Sequence, residues 1–188
     1  ADKLTKSKDI RAVYITSPDY YGRLADIPAI AAVCRRAEVP LLVDNAHGSH
    51  LGAFGLHPLA LGAAMTADSA HKTLPALTGG AMLHIGRGTD GRPFSERAEA
   101  KAAMALFGST SPAFPVLGSL DLARDWWERA GTEAYRLTAE ETVRLRETAR
   151  EEKPGVLDGP AQDPARLTLD TGVIGVDGGD AAEFFRSQ

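Results

Sequence analysis

Asp26-Ile27-Pro28-Ala29-Ile30-Ala31-Ala32-Val33-Cys34-Arg35-Arg36, followed by Pro40-Leu41-Leu42-Val43-Asp44, is the stretch on which the fold turns. Asp26 is a helix N-cap residue, and Pro28 suits a first helical turn. Ile27, Ile30, Ala31 and Cys34 then recur at helical spacing, with Arg35, Arg36 and Glu38 facing out. Pro40 stops the helix, and Leu41-Leu42-Val43 has the apolar character of a buried strand. Just upstream, Ala12-Val13-Tyr14-Ile15 reads as another short strand, ended by Thr16-Ser17-Pro18-Asp19. Strand, helix and strand within about 30 residues make a βαβ unit, and hence a parallel sheet with a right-handed crossover. Ligands of such sheets bind beyond the carboxyl ends of the strands, where Ser17 and Asp44 sit.

Working outward, residues 45–62 read as a Gly-rich loop with a short helical turn near Pro58-Leu59-Ala60-Leu61. Ala67-Asp68-Ser69 is weakly strand-like, and Ala81-Met82-Leu83-His84-Ile85 is a better strand. Residues 95–107 are Ala-rich and helical in character. Val116, Leu120, Ala123 and Trp127 form a helical stripe, with Trp126 and Trp127 read as packing residues. Thr132–Arg150 reads as a charged, solvent-exposed helix. Residues 154–164 are a loop, Arg166-Leu167-Thr168-Leu169-Asp170 alternates as a strand does, and Asp180 is the expected cap of a final helix. The expected division is 1–130 as part of a large domain, and 131–188 as a connecting helix with the start of the following region.

Composition narrows the function classes. The 188 residues suffice for a core, and 44% hydrophobic with 24% charged residues excludes disordered and fibrous classes. A net charge of −4 without a dense basic stripe argues against a nucleic-acid partner. Cys34 is the sole cysteine, so no intrachain disulfide exists, and a cytoplasmic setting is expected. No apolar run approaches the roughly 20 residues that span a bilayer, and the polar start lacks the pattern of a signal peptide.

The chemistry-bearing residues are Asp44 and Lys72. Asp44 closes a buried strand and opens Asp44-Asn45-Ala46-His47-Gly48. Lys72 lies in Ser69-Ala70-His71-Lys72-Thr73-Leu74-Pro75-Ala76-Leu77-Thr78-Gly79-Gly80, a small-residue segment expected to be half exposed. A lysine amine becomes nucleophilic when desolvation disfavours its ammonium form, and Leu74, Pro75, Ala76 and Leu77 supply an apolar setting. A strand-tip acid can hold the protonated nitrogen of a pyridine ring, and a lysine can condense with an aldehyde. Together they are what pyridoxal 5'-phosphate requires. Ala46 is then placed to pack on the ring and His47 to touch ring or substrate. Ser69 and His71 are placed to hydrogen-bond the phosphate, and Gly79 and Gly80 let the backbone approach. Plainer readings stand beside this one: Asp44 as a turn residue and Lys72 as surface. A metal module on His47-x-x-His50 is a different class of reading. All five histidines fall between positions 47 and 84, but the pattern lacks cysteine ligands and a second carboxylate at helical spacing.

The string from Ser69 to Thr78 resembles the cofactor-attachment motif of the ornithine/lysine/arginine decarboxylase family of pyridoxal-phosphate enzymes, fold-type I. Four further segments are similar to that family: Ile15–Gly22, Leu42–His50, Ser109–Pro115 with Ser119–Arg124, and Asp163–Leu167. The resemblance implies an α/β fold, part of a doubly wound, mostly parallel sheet truncated at both ends, in an internal fragment of the enzyme's large domain. It implies Lys72 as the attachment lysine, Asp44 as the pyridine-nitrogen partner and His71 or Lys72 as proton donor. Ala46 and His47 would lie at the ring, with Ser69 and His71 at the phosphate. Ser109, Thr110 and Ser111 would approach the phosphate of a neighbouring subunit, which makes a homodimer or higher oligomer with shared sites the expectation. The implied reaction is decarboxylation of a basic amino acid: lysine, ornithine or arginine. An aminotransferase, aldolase or desulfurase on the same fold, or a catalytically silent fragment, are the alternatives. Asn45 stands where the family has an acid, and Gly79-Gly80 where it has a Gln-containing pair.

Overall fold

The structure, a computed structural model, describes residues 4, 9–88, 90–108, 111, 113–152 and 155–187. Its centre is a four-stranded sheet in the order β1 (Val13–Thr16), β2 (Leu41–Asp44), β3 (Met65–Asp68), β4 (Met82–Ile85). The first three strands are parallel, with Val13 opposite Leu41 and Asp44 opposite Ala67; β4 returns antiparallel, with Asp68 opposite Met82. The mixed α/β class with a mostly parallel sheet is therefore as the sequence leads one to expect.

Helix α1 (Ile27–Arg36) forms for the reasons legible in its sequence. The Asp26 carboxylate accepts from the Ala29 N–H at 3.0 Å, a proline sits in the first turn, and Arg35 and Arg36 lie at the negative end of the helix dipole. Ile27, Ala31 and Cys34 are buried against Leu41, Val43 and Ala63, with Val13, Ile15 and Leu61 completing the cluster. Burial raises the Cys34 thiol's pKa, so it stays protonated and packs as a small apolar group. The opposite sheet face is open: Tyr14 is 65% exposed and Leu83 38%.

β3 departs from its sequence reading by running Met65–Asp68, with Ser69 outside it. The alternation is inverted: polar Thr66 and Asp68 are buried while Ala67 is exposed. Hydrophobic patterning cannot see a strand whose inward positions are polar. Between β2 and β3, hydrogen-bonded turns at His57–Gly62 match the expected helical turn, and an unanticipated 3₁₀ turn covers Leu51–Phe54. Helix α2 is the single turn Ala70–Thr73, and α3 spans Arg97–Ala105.

Helix α4 (Phe114–Trp126) carries the expected stripe, with Ala123 buried. It continues through a wide π-type turn, Trp127–Gly131, into α5 (Thr132–Glu152). The Trp127 ring covers Gly131, where a Cβ would meet it at 2.8 Å. The tryptophans pack on Tyr135, at 6.3 Å for Trp126 and 5.9 Å for Trp127.

The expectation of a solvated α5 needs correction. One face carries the ion pairs of Arg136 with Glu133 and Glu140, but Thr142 and Arg146 are buried. The Arg146 guanidinium donates to the main-chain carbonyls of Asp163 (2.7 Å) and Arg166 (2.6 Å). That anchors the segment between β5 (Val156–Leu157) and β6 (Thr168–Leu169) on the helix. A buried arginine reads as surface in a sequence because its carbonyl partners are invisible there. The final helix α6 (Gly178–Arg186) is capped by Asp177, which accepts from Gly179 N–H at 2.7 Å; Asp180 sits in the first turn instead of capping it.

Arg146→Met is expected to destabilise the fold by about 2–4 kcal/mol, because it leaves two buried carbonyls unsatisfied. Urea denaturation checks this. A loss under about 0.5 kcal/mol, the level of a surface substitution, would count against the anchor.

Candidate active site at the sheet edge

The carboxyl ends of β1, β2 and β3 converge on one edge, fixed by the pairing of Thr16 with Asp44 and Asp44 with Ala67. Asp44 points to the face opposite Leu41 and Val43. Its Oδ1 accepts from the Ala46 N–H at 3.0 Å, and its Oδ2 from the Tyr14 hydroxyl at 3.2 Å. Beyond Asp44 the chain turns sharply, with Gly48 N–H donating to the Asn45 carbonyl at 2.9 Å. Gly48 is required there: a Cβ would lie 2.7 Å from both Leu51 Cδ1 and Pro18 Cδ.

That turn brings His47 to Lys72. Lys72 Nζ lies 3.4 Å from His47 Nε2, and the His47 ring meets Tyr20 edge-on at 5.6 Å. The ammonium can only donate, so His47 Nε2 accepts and the ring proton is on Nδ1. Burial pushes the pKa of His47 below its ordinary value, as do the cations Lys72 and Arg166, against the opposing pull of Asp44 and Asp19. His47 is therefore a neutral imidazole at neutral pH, flanked by an amine and a strand-tip carboxylate.

Lys72 is exposed, not half-buried as its sequence setting suggested. The single turn of α2 carries it outward, and Leu77, one of the residues expected to shield it, is itself 53% exposed. His71 Nδ1 lies 2.9 Å from the Gly80 carbonyl, so Nδ1 carries the proton and Nε2 presents a lone pair. In that state it could donate to a phosphate only as an imidazolium. Ser69 and Ala46 are half-buried at the same edge, and Ser111 is exposed. Ser109 and Thr110 lie outside the described residues.

Lys72, Thr73 and Leu74 line a cavity of about 370 Å³ whose other wall is His50, Tyr135, Asp163, Ala165 and Arg166. The wall is built on Asp163, which is 1% exposed. Its Oδ1 is 3.0 Å from His50 Nε2 and accepts from the Ala165 N–H at 3.0 Å. Arg166 donates through Nη1 to the Tyr20 carbonyl at 2.8 Å, tying this wall to the loop that backs His47. Gly22 has φ +84°, and a Cβ there would meet Arg166 Cδ at 2.8 Å, so only glycine lets the two segments close. Tyr135 and Arg166 carry no functional reading in the sequence, and His50 only that of a metal ligand; the approach of His50 to Asp163 and of Arg166 to Tyr20 depends on contacts across more than a hundred positions.

The histidines separate into distinct environments. His47 meets Lys72 and His50 meets Asp163, so His47-x-x-His50 does not converge as a metal pair would. A different cluster, unnoticed in the sequence, joins His57, Asp68 and His84, with ligand atoms within 4.8 Å of one another. Asp68 Oδ2 accepts from Asn45 Nδ2 at 2.7 Å and faces His57 Nε2 at 2.9 Å. His57 Nδ1 accepts from the Leu59 N–H at 3.3 Å, which leaves its proton on Nε2, donated to Asp68. That is the arrangement of a hydrogen-bonded dyad. Burial acts to raise the Asp68 carboxyl, but the His57 and Asn45 hydrogen bonds help hold it below the usual carboxylate range.

The pKa of His84, like that of His47, is pushed down, first by burial, with His57 adding and Asp68 opposing. The folded state therefore resists protonation at both rings, and the unfolded chain binds more protons as pH falls through 6.5. Stability is expected to decline from pH 7.5 toward 5.5 in urea titrations. NMR titration should place both midpoints below 6.5. Midpoints at or above the ordinary value would contradict the burial of the two rings.

The same chain can be set against known proteins. Residues 2–170 match the family described as Orn/Lys/Arg decarboxylase, major domain. The protein YaaO of Bacillus subtilis (strain 168) is 38% identical over 119 residues, covering 62% of this chain and 24% of that protein. The arginine decarboxylase of the same organism is 29% identical over 199 residues, covering 97% of this chain and 39% of the relative. The chain thus spans about a quarter to two fifths of the length of these relatives. Among solved structures, the apo cysteine desulfurase of Thermococcus onnurineus NA1 superposes over 99% of this chain and 50% of that one, with a TM-score of 0.71 at 16% identity; this similarity concerns the fold alone. With the family match running from before β1 to the end of β6, the chain belongs to the Orn/Lys/Arg decarboxylase family, within its major domain.

Proposed function

We propose that this chain carries the cofactor-anchoring part of a pyridoxal-phosphate-dependent decarboxylase of a basic amino acid, with arginine favoured by the relatives of that name. The observation that carries the reading is the approach of Lys72 Nζ to His47 Nε2 at 3.4 Å, on the sheet edge that also presents Asp44. The donor set fits the cofactor: an accessible amine, a carboxylate at a strand tip and a neutral imidazole between them. Lys72 would hold the cofactor covalently, Asp44 its pyridine nitrogen, and Ser69 with His71 its phosphate. When bound, the cofactor supplies an electron sink for the carbon that loses carbon dioxide.

The protein's own groups would do the rest. His47 Nε2 accepts from the Lys72 ammonium, so it is placed to take a proton from that amine. The Ala46 N–H and the Tyr14 hydroxyl fix the orientation of the Asp44 carboxylate. The lone pair of His71 Nε2 makes it an acceptor, so its part in proton return requires prior protonation. A second copy of the chain, contributing the segment around Ser111, is part of the proposal, as is a cytoplasmic setting. Among the described residues no helix is long and apolar enough to cross a membrane. The fold shared with a cysteine desulfurase keeps one other reading in view: a different reaction through the same lysine. Product analysis separates the two, carbon dioxide release marking decarboxylation.

Lys72→Ala is expected to abolish the borohydride-trappable adduct and turnover together; an adduct retained in that variant would refute the assignment. Asp44→Asn should retain the adduct but lose activity by roughly a hundredfold or more. Near-normal turnover in Asp44→Asn would remove the carboxylate from the mechanism.

A further inference from the structure

The cavity beside Lys72 has a feature that the cofactor assignment does not use. Its far wall presents a second cation, Arg166, whose side chain is 25% exposed. One arm is occupied, Nη1 donating to the Tyr20 carbonyl at 2.8 Å. Nε is 3.9 Å from Asp163 Oδ2, too far for a hydrogen bond. Among the described residues Nη2 has no hydrogen-bond partner. Asp163 is the counter-charge of Arg166 on this wall: its Oδ2 faces Nε as an ion pair and has no hydrogen-bond partner among the described residues, while its Oδ1 is engaged by His50 and the Ala165 N–H. The cavity is thus lined by two cations, Lys72 and Arg166, against the single carboxylate of Asp163, an excess of positive charge that suits an oxyanion. Ser69 and His71, the residues suited to a cofactor phosphate, do not line it, whereas Thr73 and Leu74 do.

We infer that Arg166 is the receptor for the carboxylate of the amino-acid substrate, binding it through the unoccupied edge of its guanidinium. This rests on the reading of Lys72 as the cofactor lysine, and it gives Arg166 a role in substrate binding. Because Nη1 is committed to Tyr20 and the Asp163 carboxylate flanks Nε, the contact is made through Nη2 and lacks the strength of a bidentate pair. That matters for a decarboxylase. The carboxylate must shed its charge as carbon dioxide leaves, so a cation that grips it tightly stabilises the ground state against the transition state. A single donor captures and orients the substrate while limiting that penalty. Losing it should raise KM without lowering kcat.

The test uses the full chain reconstituted with pyridoxal phosphate, as wild type, Arg166→Met and Arg166→Lys, each checked for unchanged thermal unfolding. Calorimetry measures three probes: guanidinovalerate, which carries the carboxylate; agmatine, which lacks it; and inorganic phosphate. The expected result is a roughly 10- to 100-fold loss of guanidinovalerate affinity in Arg166→Met, with partial recovery in Arg166→Lys and no change for agmatine. Equal losses for both organic probes would show that Arg166 acts only as a clamp on Tyr20, and would overturn the proposal. So would phosphate losing more than guanidinovalerate, no carboxylate binding by wild type, or a fall in kcat at constant KM. Borohydride trapping on the same samples separates the two levels of inference. An adduct in all three proteins without carboxylate discrimination sinks the subsite alone, whereas no adduct in any of them sinks the cofactor reading.

Discussion

Asp163 is the buried charge on which the geometry of the site depends. Taking a carboxylate out of water is costly unless its oxygens and its surroundings are engaged. Here His50 and the Ala165 N–H engage Oδ1, the Asp163 N–H donates to the Gly22 carbonyl at 2.8 Å, and Arg146 caps the Asp163 carbonyl. Each partner comes from a different part of the chain: the turn after β2, the loop after β1 and helix α5. Residue 163 thus joins three segments that sequence separates widely, one through its carboxylate and two through its main chain. The electrostatic reach is visible at Tyr135, whose phenol is pushed above its ordinary value by burial and then by the negative charge of Asp163. Without this junction, the wall beside Lys72 would rest on the hydrogen bonds that Gln162, Arg166 and Thr168 donate to the Tyr20 and Tyr21 carbonyls.

What the sequence reveals and what it hides follow from the range of the interactions involved. The βαβ unit is legible because its determinants are local: a cap at Asp26, apolar spacing from Ile27 to Cys34, and a proline stop at Pro40. Asp44 and Lys72 stand out as candidates because the proposed chemistry needs particular residue types near strand ends, and the resemblance of their surroundings to one family strengthens both. β3 is nearly illegible because Thr66 and Asp68 point inward, contrary to hydrophobic patterning, and become tolerable only through pairing such as that of Asp68 with His57 and Asn45. Arg146 looks like one more charge on a charged helix, and its burial is decided by carbonyls that no residue type announces. The exposure of Lys72 is hidden for a related reason: apolar neighbours in sequence need not cover a side chain in space.

The Asn45–Asp68 hydrogen bond also gives sense to a departure from the family pattern. Asn45, at the position where the resemblance leads one to expect an acid, is completely buried against a carboxylate from β3. An acid at that position would face Asp68 at hydrogen-bond distance, and two buried carboxylates cannot both ionise. The amide donates instead, so the negative charge of this layer resides on Asp68, where His57 can meet it. The tip of β2 is then held by a neutral donor, and Asp44 remains the charge facing the open side.

The wide turn at Trp127–Gly131 sets the angular phase of everything that follows on the same rod. Each residue advances an α-helix by about 100°, so the looser winding redirects the downstream side chains around the axis. Ala123 before the turn and Arg146 after it are both buried on what is outwardly one continuous cylinder. Inserting or removing a single residue between Trp127 and Gly131 would leave helicity intact yet swivel the guanidinium away from its carbonyl cradle. Length there is as much a part of the molecule's code as residue identity.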